Sequence, residues 1–269
     1  MRRIALVSLT AVLAAACGAE KPTQEEVDAA RAKVESAVAA AHLARGALEV
    51  LGVFPVYTCG EPRRSFVGRA AEGVHAKYAC ATATVETMDS VTDAVVLTFD
   101  QRGCEIHGLR FTGQVAFQYR GGEDLMEVHA DLRGLAVDGH TLQAEVGYGT
   151  CGDETRLFAE VEGGVPGRAG HTFHIDGRVG LRGGVPVIGG SELVLDGPGE
   201  LKGPEGTDRL TLTSLLYDVG QYLPKEGTAV LETADGHRME ARFQEVLWRV
   251  GKVEVTIDDK EPVTVPIVR

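Results

Sequence analysis

The sequence predicts a mainly β protein: a large coiled antiparallel sheet, forming a sandwich or a partly closed barrel, with one N-terminal amphipathic helix. Three observations carry this. From about residue 53 the apolar residues stop recurring at helical spacing and alternate one by one with polar residues. Turn signals built on glycine recur every ten to twenty residues or so, in a chain with 34 glycines. Every long run is apolar on one side only, which fits a sheet with one covered and one wet face and not a doubly covered parallel sheet.

In chain order, the first element is a leader. Arg2 and Arg3 precede an apolar run, Ile4 to Ala16, broken only by Ser8 and Thr10, and the small residues Ala14, Ala15 and Ala16 lead into Cys17. The run is too short to span a bilayer and has the layout of a secretory signal. Leu13-Ala14-Ala15-Ala16-Cys17-Gly18 resembles the lipobox of bacterial lipoproteins, although the leucine stands four before the cysteine where the family usually has it at three. The resemblance implies removal of residues 1–16, a diacylglyceryl thioether and an amino-terminal acyl chain on Cys17, and membrane anchoring through that lipid. Gly18 stands where many inner-membrane lipoproteins carry Asp, so the expected location is the outer membrane, with the chain facing the periplasm or the surface.

The mature chain would then hold 253 residues (269 less 16), enough for one large β domain or two small ones. Lys+Arg number 27 and Asp+Glu 39, a net charge of −12 that becomes −14 once Arg2 and Arg3 leave with the leader. Such an acidic surface argues against nucleic acid and against docking on anionic lipid by charge.

After a lipidated tether at 17–22, a helix is expected over 23–52. Thr23 and Glu26 have capping-box spacing, and Val27, Ala30, Val34, Ala37, Ala41, Ala44, Leu48 and Leu51 form a heptad-like stripe of mostly small residues. Gly46 or Gly52 would stop it. The stripe suits either a partner helix or the chain's own sheet. In the second case Val27, Val34, Ala41 and Leu48 face the sheet's apolar side.

The region 53–269 reads as about twelve strands. The clearest runs place Phe111, Val115, Phe117 and Tyr119 on one face, then Met126, Val128, Ala130 and Leu132, then Leu142, Ala144, Val146 and Tyr148. Phe173, Ile175, Val179 and Leu181 follow, then Met239, Ala241 and Phe243, and finally Val253, Val255 and Ile257. Asp138-Gly139 and Asp235-Gly236 mark tight hairpins. Gly121-Gly122, Gly163-Gly164 and Gly183-Gly184 are expected between strands, and the Pro/Gly-rich 197–206 marks a long loop or sub-boundary. A sheet this wide must coil, split or close.

Cys59, Cys80, Cys104 and Cys151 form an even set in an exported chain and are expected to form two disulfides. Three connectivities are open. The expected pairs are Cys59–Cys80, from two strand-like runs, and Cys104–Cys151, beside two glycine turns. Zinc is the alternative, but no spacing is of the CxxC kind.

The lipobox, the Gly-rich alternating strands, the turn Leu223-Pro224-Lys225-Glu226-Gly227-Thr228 and the closing GKVEVTI strand together resemble uncharacterised envelope lipoproteins of the myxobacterial kind. The resemblance implies the envelope location and the β class, and no activity or catalytic residue.

Catalytic signatures are absent from the sequence, and no cofactor or metal is expected. Glu127, His129 and Asp131 share one strand face and could hold a divalent ion, or form a solvated face. His171 and His174, an odd separation apart, fall on opposite strand faces and make a poor chelate. Ser191 lies in GGSEL, not in a GxSxG elbow, and there are six serines in all. No P-loop, HExxH or dinucleotide fingerprint occurs. The expected function is a membrane-anchored, non-enzymatic envelope lipoprotein that binds a protein, a polymer or a lipid, or plays a structural part. The alternatives are a carrier that holds lipid or lipoprotein acyl chains in a concave sheet, with the helix as lid, and a hydrolase.

Overall fold

The computed structural model describes residues 19–54, 57, 59–121, 126–150, 156–179, 181–182, 185–186, 192–218, 220–244 and 250–268. Cys17, Cys151, Ser191, Gly122, Gly183 and Gly184 lie outside them.

Helix α1 spans Gln24–Glu49 and continues as a 3-10 turn over Val50–Val53. Its start is as expected. The Thr23 side chain accepts from the Glu26 backbone, and the Glu26 carboxylate accepts from the Thr23 N–H at 2.8 Å. Neither glycine stops it. Gly46 sits inside the helix because a Cβ there would lie 2.6 Å from Val137 Cγ1, so glycine lets helix and sheet approach. The helix is amphipathic only in its first half, since every residue from Ser36 to Glu49 is buried. Val34, Ala41 and Leu48 are buried as expected, and Val27 packs partly buried against the same core. By length and apolarity α1 passes as a membrane span, but 94% of its most apolar window is buried within this chain.

A second helix, α2 (Arg63–Lys77), was not expected. It buries Phe66, Val67, Ala70, Ala71 and Val74, a helical spacing diluted in the sequence by Gly68 and Gly73.

The strands are β1 (Ala81–Thr87), β2 (Thr92–Ile106), β3 (Leu109–Gly121), β4 (Met126–Asp131), β5 (Leu135–Val137), β6 (His140–Thr141), β7 (Gln143–Thr150), β8 (Arg156–Gly164) and β9 (Thr172–Val179). They continue with β10 (Leu181–Arg182), β11 (Val185–Pro186), β12 (Glu192–Gly203), β13 (Gly206–Asp218), β14 (Glu226–Glu232), β15 (Arg238–Phe243), β16 (Val250–Ile257) and β17 (Val263–Val268). One antiparallel sheet takes fifteen of them in the order β1-β2-β3-β4-β7-β8-β9-β12-β13-β14-β15-β16-β17, with β5 and β6 appended to β3. It is a single sheet and not a sandwich, and its two ends, β1 and β17, do not pair with each other.

The sheet curls around α1. Strands as far apart in the order as β7, β8, β14 and β17 all pack on this one helix, which a flat sheet could not allow. α2 covers β1, β2 and β3. The alternating runs point inward as expected: Phe111, Val115, Phe117, Tyr119, Met126, Val128, Ala130, Ala144, Val146, Phe173, Ile175, Ala241, Phe243, Val253 and Val255 are all buried.

Further expectations need correction. The stretch 197–206 is not a loop: Gly197–Gly203 is the end of β12, paired with β13 down to Gly203↔Gly206. Its glycines answer to the neighbouring strand. Gly197 has φ +144°, and a Cβ there would lie 2.1 Å from the Asp176 carbonyl oxygen. Gly163 and Gly164 likewise belong to β8, and the chain turns at 166–170.

The disulfide pairing also differs. Cys80 bonds Cys104, with Cα atoms 5.3 Å apart. β1 pairs with β2 so that Asp100 N donates to Cys80 O, and a register shift between Phe99 and Cys104 brings Cys104 alongside. The fifteen-residue α2 stands between Cys59 and Cys80 where the sequence suggested a strand pair. Cys59 is disulfide-bonded too. Peptide mapping of the unreduced protein is expected to recover Cys80 linked to Cys104; a Cys59–Cys80 peptide would contradict this connectivity.

Candidate functional site

The sites singled out from sequence do not converge. Glu127, His129 and Asp131 do lie on β4, but Glu127 and His129 are exposed. His129 reaches Glu145 at 3.5 Å and Asp131 binds Arg133, so the row is a solvated face. His171 precedes β9 and bonds the Ala169 carbonyl, while His174 pairs with Glu162 at 3.2 Å. Among the described residues no group of three His, Cys, Asp or Glu could hold a metal ion.

The concentration of buried charge is elsewhere, in the enclosed half of α1. His42, Arg45 and Glu49 stand at i, i+3 and i+7, hence on one helix face, and are only 4%, 1% and 3% exposed. Two hairpin tips and one loop meet them. His107-Gly108 turns β2 into β3, and Asp138-Gly139 turns β5 into β6. His107 (φ 51°) and Asp138 (φ 50°) each take the left-handed conformation that a two-residue hairpin requires of its first turn residue. The loop Gly220–Tyr222 closes over them, with Gly220 N donating to His107 O at 3.2 Å. Gly108 permits this approach, because a Cβ there would lie 2.2 Å from Gly220 Cα.

The contacts form a clasp. Arg45 donates through Nε to Glu49 Oε1 (3.4 Å), through Nη1 to the Gln221 carbonyl (2.5 Å) and through Nη2 to the His107 carbonyl (3.1 Å). Its guanidinium also lies 5.1 Å from the centre of the Tyr217 ring. The other Glu49 oxygen meets His107 Nδ1 at 2.7 Å. Asp138 accepts from Arg110 N at 2.9 Å with one oxygen and meets His42 Nε2 at 2.7 Å with the other. The Tyr222 ring packs on His42 with centroids 4.6 Å apart. Burial pushes the Tyr217 hydroxyl above its ordinary range.

Chemically this is an enclosed polar network of two imidazole–carboxylate pairs and a guanidinium that also bonds two carbonyls. Among the described residues, no serine or cysteine takes part in it. The network ties the C-terminal half of α1 to the ends of β3 and β5 and to the loop before β14.

The sequence signal was present but quiet. His42, Arg45 and Glu49 interrupt an otherwise apolar helix at same-face spacing, and His107-Gly108 is a hairpin dipeptide of the Asp-Gly type.

A similar tie holds α2. Arg63 Nε bonds Asp93 at 2.8 Å, and its other nitrogens donate to the carbonyls of Val91 (2.6 Å), Gly121 (2.8 Å) and Ser90 (3.1 Å). At the opposite end of α1, Lys33 bonds the buried Asp208 at 2.5 Å.

A shallow cleft of about 310 Å³ opens there, lined by Glu25, Lys33, Asp208, Thr233, His237 and Met239 among others. His237 titrates above its ordinary value because it bonds the Asp258 carboxylate, which is in turn lowered chiefly by the Arg238 backbone N–H.

No protein-family model, curated protein or solved structure matches the chain.

Proposed function

We propose that this chain is a lipid-anchored envelope protein with a non-enzymatic binding or structural role, held at the outer membrane by acyl chains on Cys17. The observation that carries the reading is the run MRRIALVSLTAVLAAAC, with its charged start, apolar stretch and small residues before the cysteine.

The fold is consistent with it. The described part of the tether, residues 19–22, runs beside the β16–β17 turn, where Glu261 N donates to Glu20 O at 2.9 Å and Lys260 bonds Glu26 at 2.6 Å. The clasp lies toward the other end of α1, a helix about 39 Å long at 1.5 Å per residue. An anchor at one end would therefore leave the clasp end and the convex sheet available away from the bilayer.

The non-enzymatic part rests on the concave face being filled by α1, and on the buried charges being engaged with each other. The open, curled sheet is what favours the second reading, a carrier of acyl chains. In that reading α1 must leave the sheet to make room, against the clasp and the Lys33–Asp208 pair.

The anchor is tested by metabolic labelling with a fatty acid in the wild type and Cys17→Ser. Label on the wild type alone is expected. Equal label on both, or none on the wild type, would remove the proposal.

A further inference from the structure

We propose that the outer edge of β1, along which no other strand pairs among the described residues, is a self-association surface, at which two copies of this chain pair their β1 strands antiparallel about a two-fold axis through Thr84. This names a second copy as one partner for the binding or structural role proposed above, and it rests on that reading only for its biological meaning.

The two ends of the sheet differ in how they are protected. β17 carries Pro266 within its six residues, which blunts an edge. β1, Ala-Thr-Ala-Thr-Val-Glu-Thr, has no proline, lysine or arginine, and Thr84–Thr87 are all exposed. Three exposed large apolar side chains, Val85 (46%), Met88 (56%) and Val91 (50%), sit on this strand and the tip that follows it.

Strand chemistry sets the register. Asp100 N donates to Cys80 O and Met88 N donates to Thr92 O, so even-numbered residues turn their backbone groups toward β2. Odd-numbered residues then turn theirs outward. The Ala81 N–H is taken by the Tyr78 carbonyl, which leaves the Ala81 carbonyl and both backbone groups of Ala83, Val85 and Thr87 pointing away from the sheet.

A second β1 can satisfy them only where odd opposes odd. The axis through Thr84 does this with the longest overlap, placing Ala83 opposite Val85 and Ala81 opposite Thr87 of the second copy, with about six main-chain hydrogen bonds.

The side chains agree with this register. Val85 gains an apolar neighbour in Ala83, on the face where Ala81 is buried and Ala83 packs against the core. On the other face Thr84 meets Thr84, and Glu86 meets the Thr82 hydroxyl. Glu86 is the only charge on the strand, and the register keeps the two copies of it about four residues apart, beyond a Debye length at physiological salt. A net charge of −12 opposes indiscriminate association of this chain, and β1 adds only Glu86 to it.

The test is cross-linking of the full chain in the cells that produce it, read on non-reducing gels. Thr84→Cys places two sulfurs across the axis at disulfide distance and is expected to give a covalent dimer. Thr82→Cys places them four residues apart and is expected to give none. Val85→Pro removes an N–H that points away from β2, so β1–β2 pairing and melting should persist. Combined with Thr84→Cys it is expected to reduce the covalent dimer at least tenfold. No dimer from Thr84→Cys, equal dimer from Thr82→Cys, or full dimer in the proline variant with unchanged melting would overturn the proposal. None of these outcomes depends on how Cys17 is modified.

Discussion

Val34→Asp is expected to lower the melting temperature by roughly 10 °C or more. Val34 is 0% exposed on a helix that the sheet encloses, and it belongs to the apolar core cluster, where a new carboxylate is cut off from water. An uncompensated buried charge costs about 3–5 kcal/mol. In a domain of this size each kcal/mol moves the midpoint by about 2–4 °C. The variant also separates the two functional readings. If α1 is a permanent part of the core, melting falls and uptake of a fluorescent fatty acid by the folded fraction does not change. If α1 is a lid, the sheet stays folded with near wild-type melting while uptake changes. The first outcome is expected, because α1 is buried all round over its second half and tied at both ends.

Arg45→Met is expected to cost a similar amount, about 3–5 kcal/mol, by a different route. The substitution keeps most of the apolar stem and removes only the charge and its donors. It leaves Glu49, 3% exposed, without its guanidinium partner, and strips a donor from both the His107 and Gln221 carbonyls. The informative experiment is the cycle with Glu49→Met. Taking both charges away should recover part of the loss, because what is costly is the unpaired member and not the absence of the pair. Thermal melting of the four proteins reads this directly. An Arg45→Met protein within about 1 kcal/mol of the wild type would show that the clasp does not hold the helix in the sheet.

Both predictions concern a helix whose start was written in Thr23 and Glu26 but whose surroundings were not. The stripe Val27, Val34, Ala41, Leu48 says that one face is apolar. It does not say that the opposite face is enclosed as well, because small residues off the stripe, such as Ala39 and Ala40, suit a wet face as readily as a buried one. Both are in fact buried. What identifies enclosure is the sheet curling far enough for β7 and β17 to reach the same helix. That is a property of many strand pairings together and not of any one run.

The candidate site divides in the same way. Asp138-Gly139 was legible as a turn, since a left-handed pair of residues needs that chemistry. Its use of the Asp138 side chain to hold His42, 96 residues earlier, was not.

By itself the sequence determined the β class, the antiparallel pattern, the capped start of α1 and the inward faces of the strands. Each follows from interactions between residues close in the chain: period-two alternation, a capping box, a hairpin dipeptide. Tertiary structure alone decided that Gly197–Gly203 is strand, that Cys80 pairs with Cys104, and that Arg45 and Glu49 are buried together. In each case the deciding partner is remote. Gly197 yields to the Asp176 carbonyl of a neighbouring strand, Cys104 is aimed by a register shift against β3, and Arg45 is held by carbonyls 62 and 176 residues away. A chain read locally shows what a residue prefers; the packing of distant backbone decides which preferences are met.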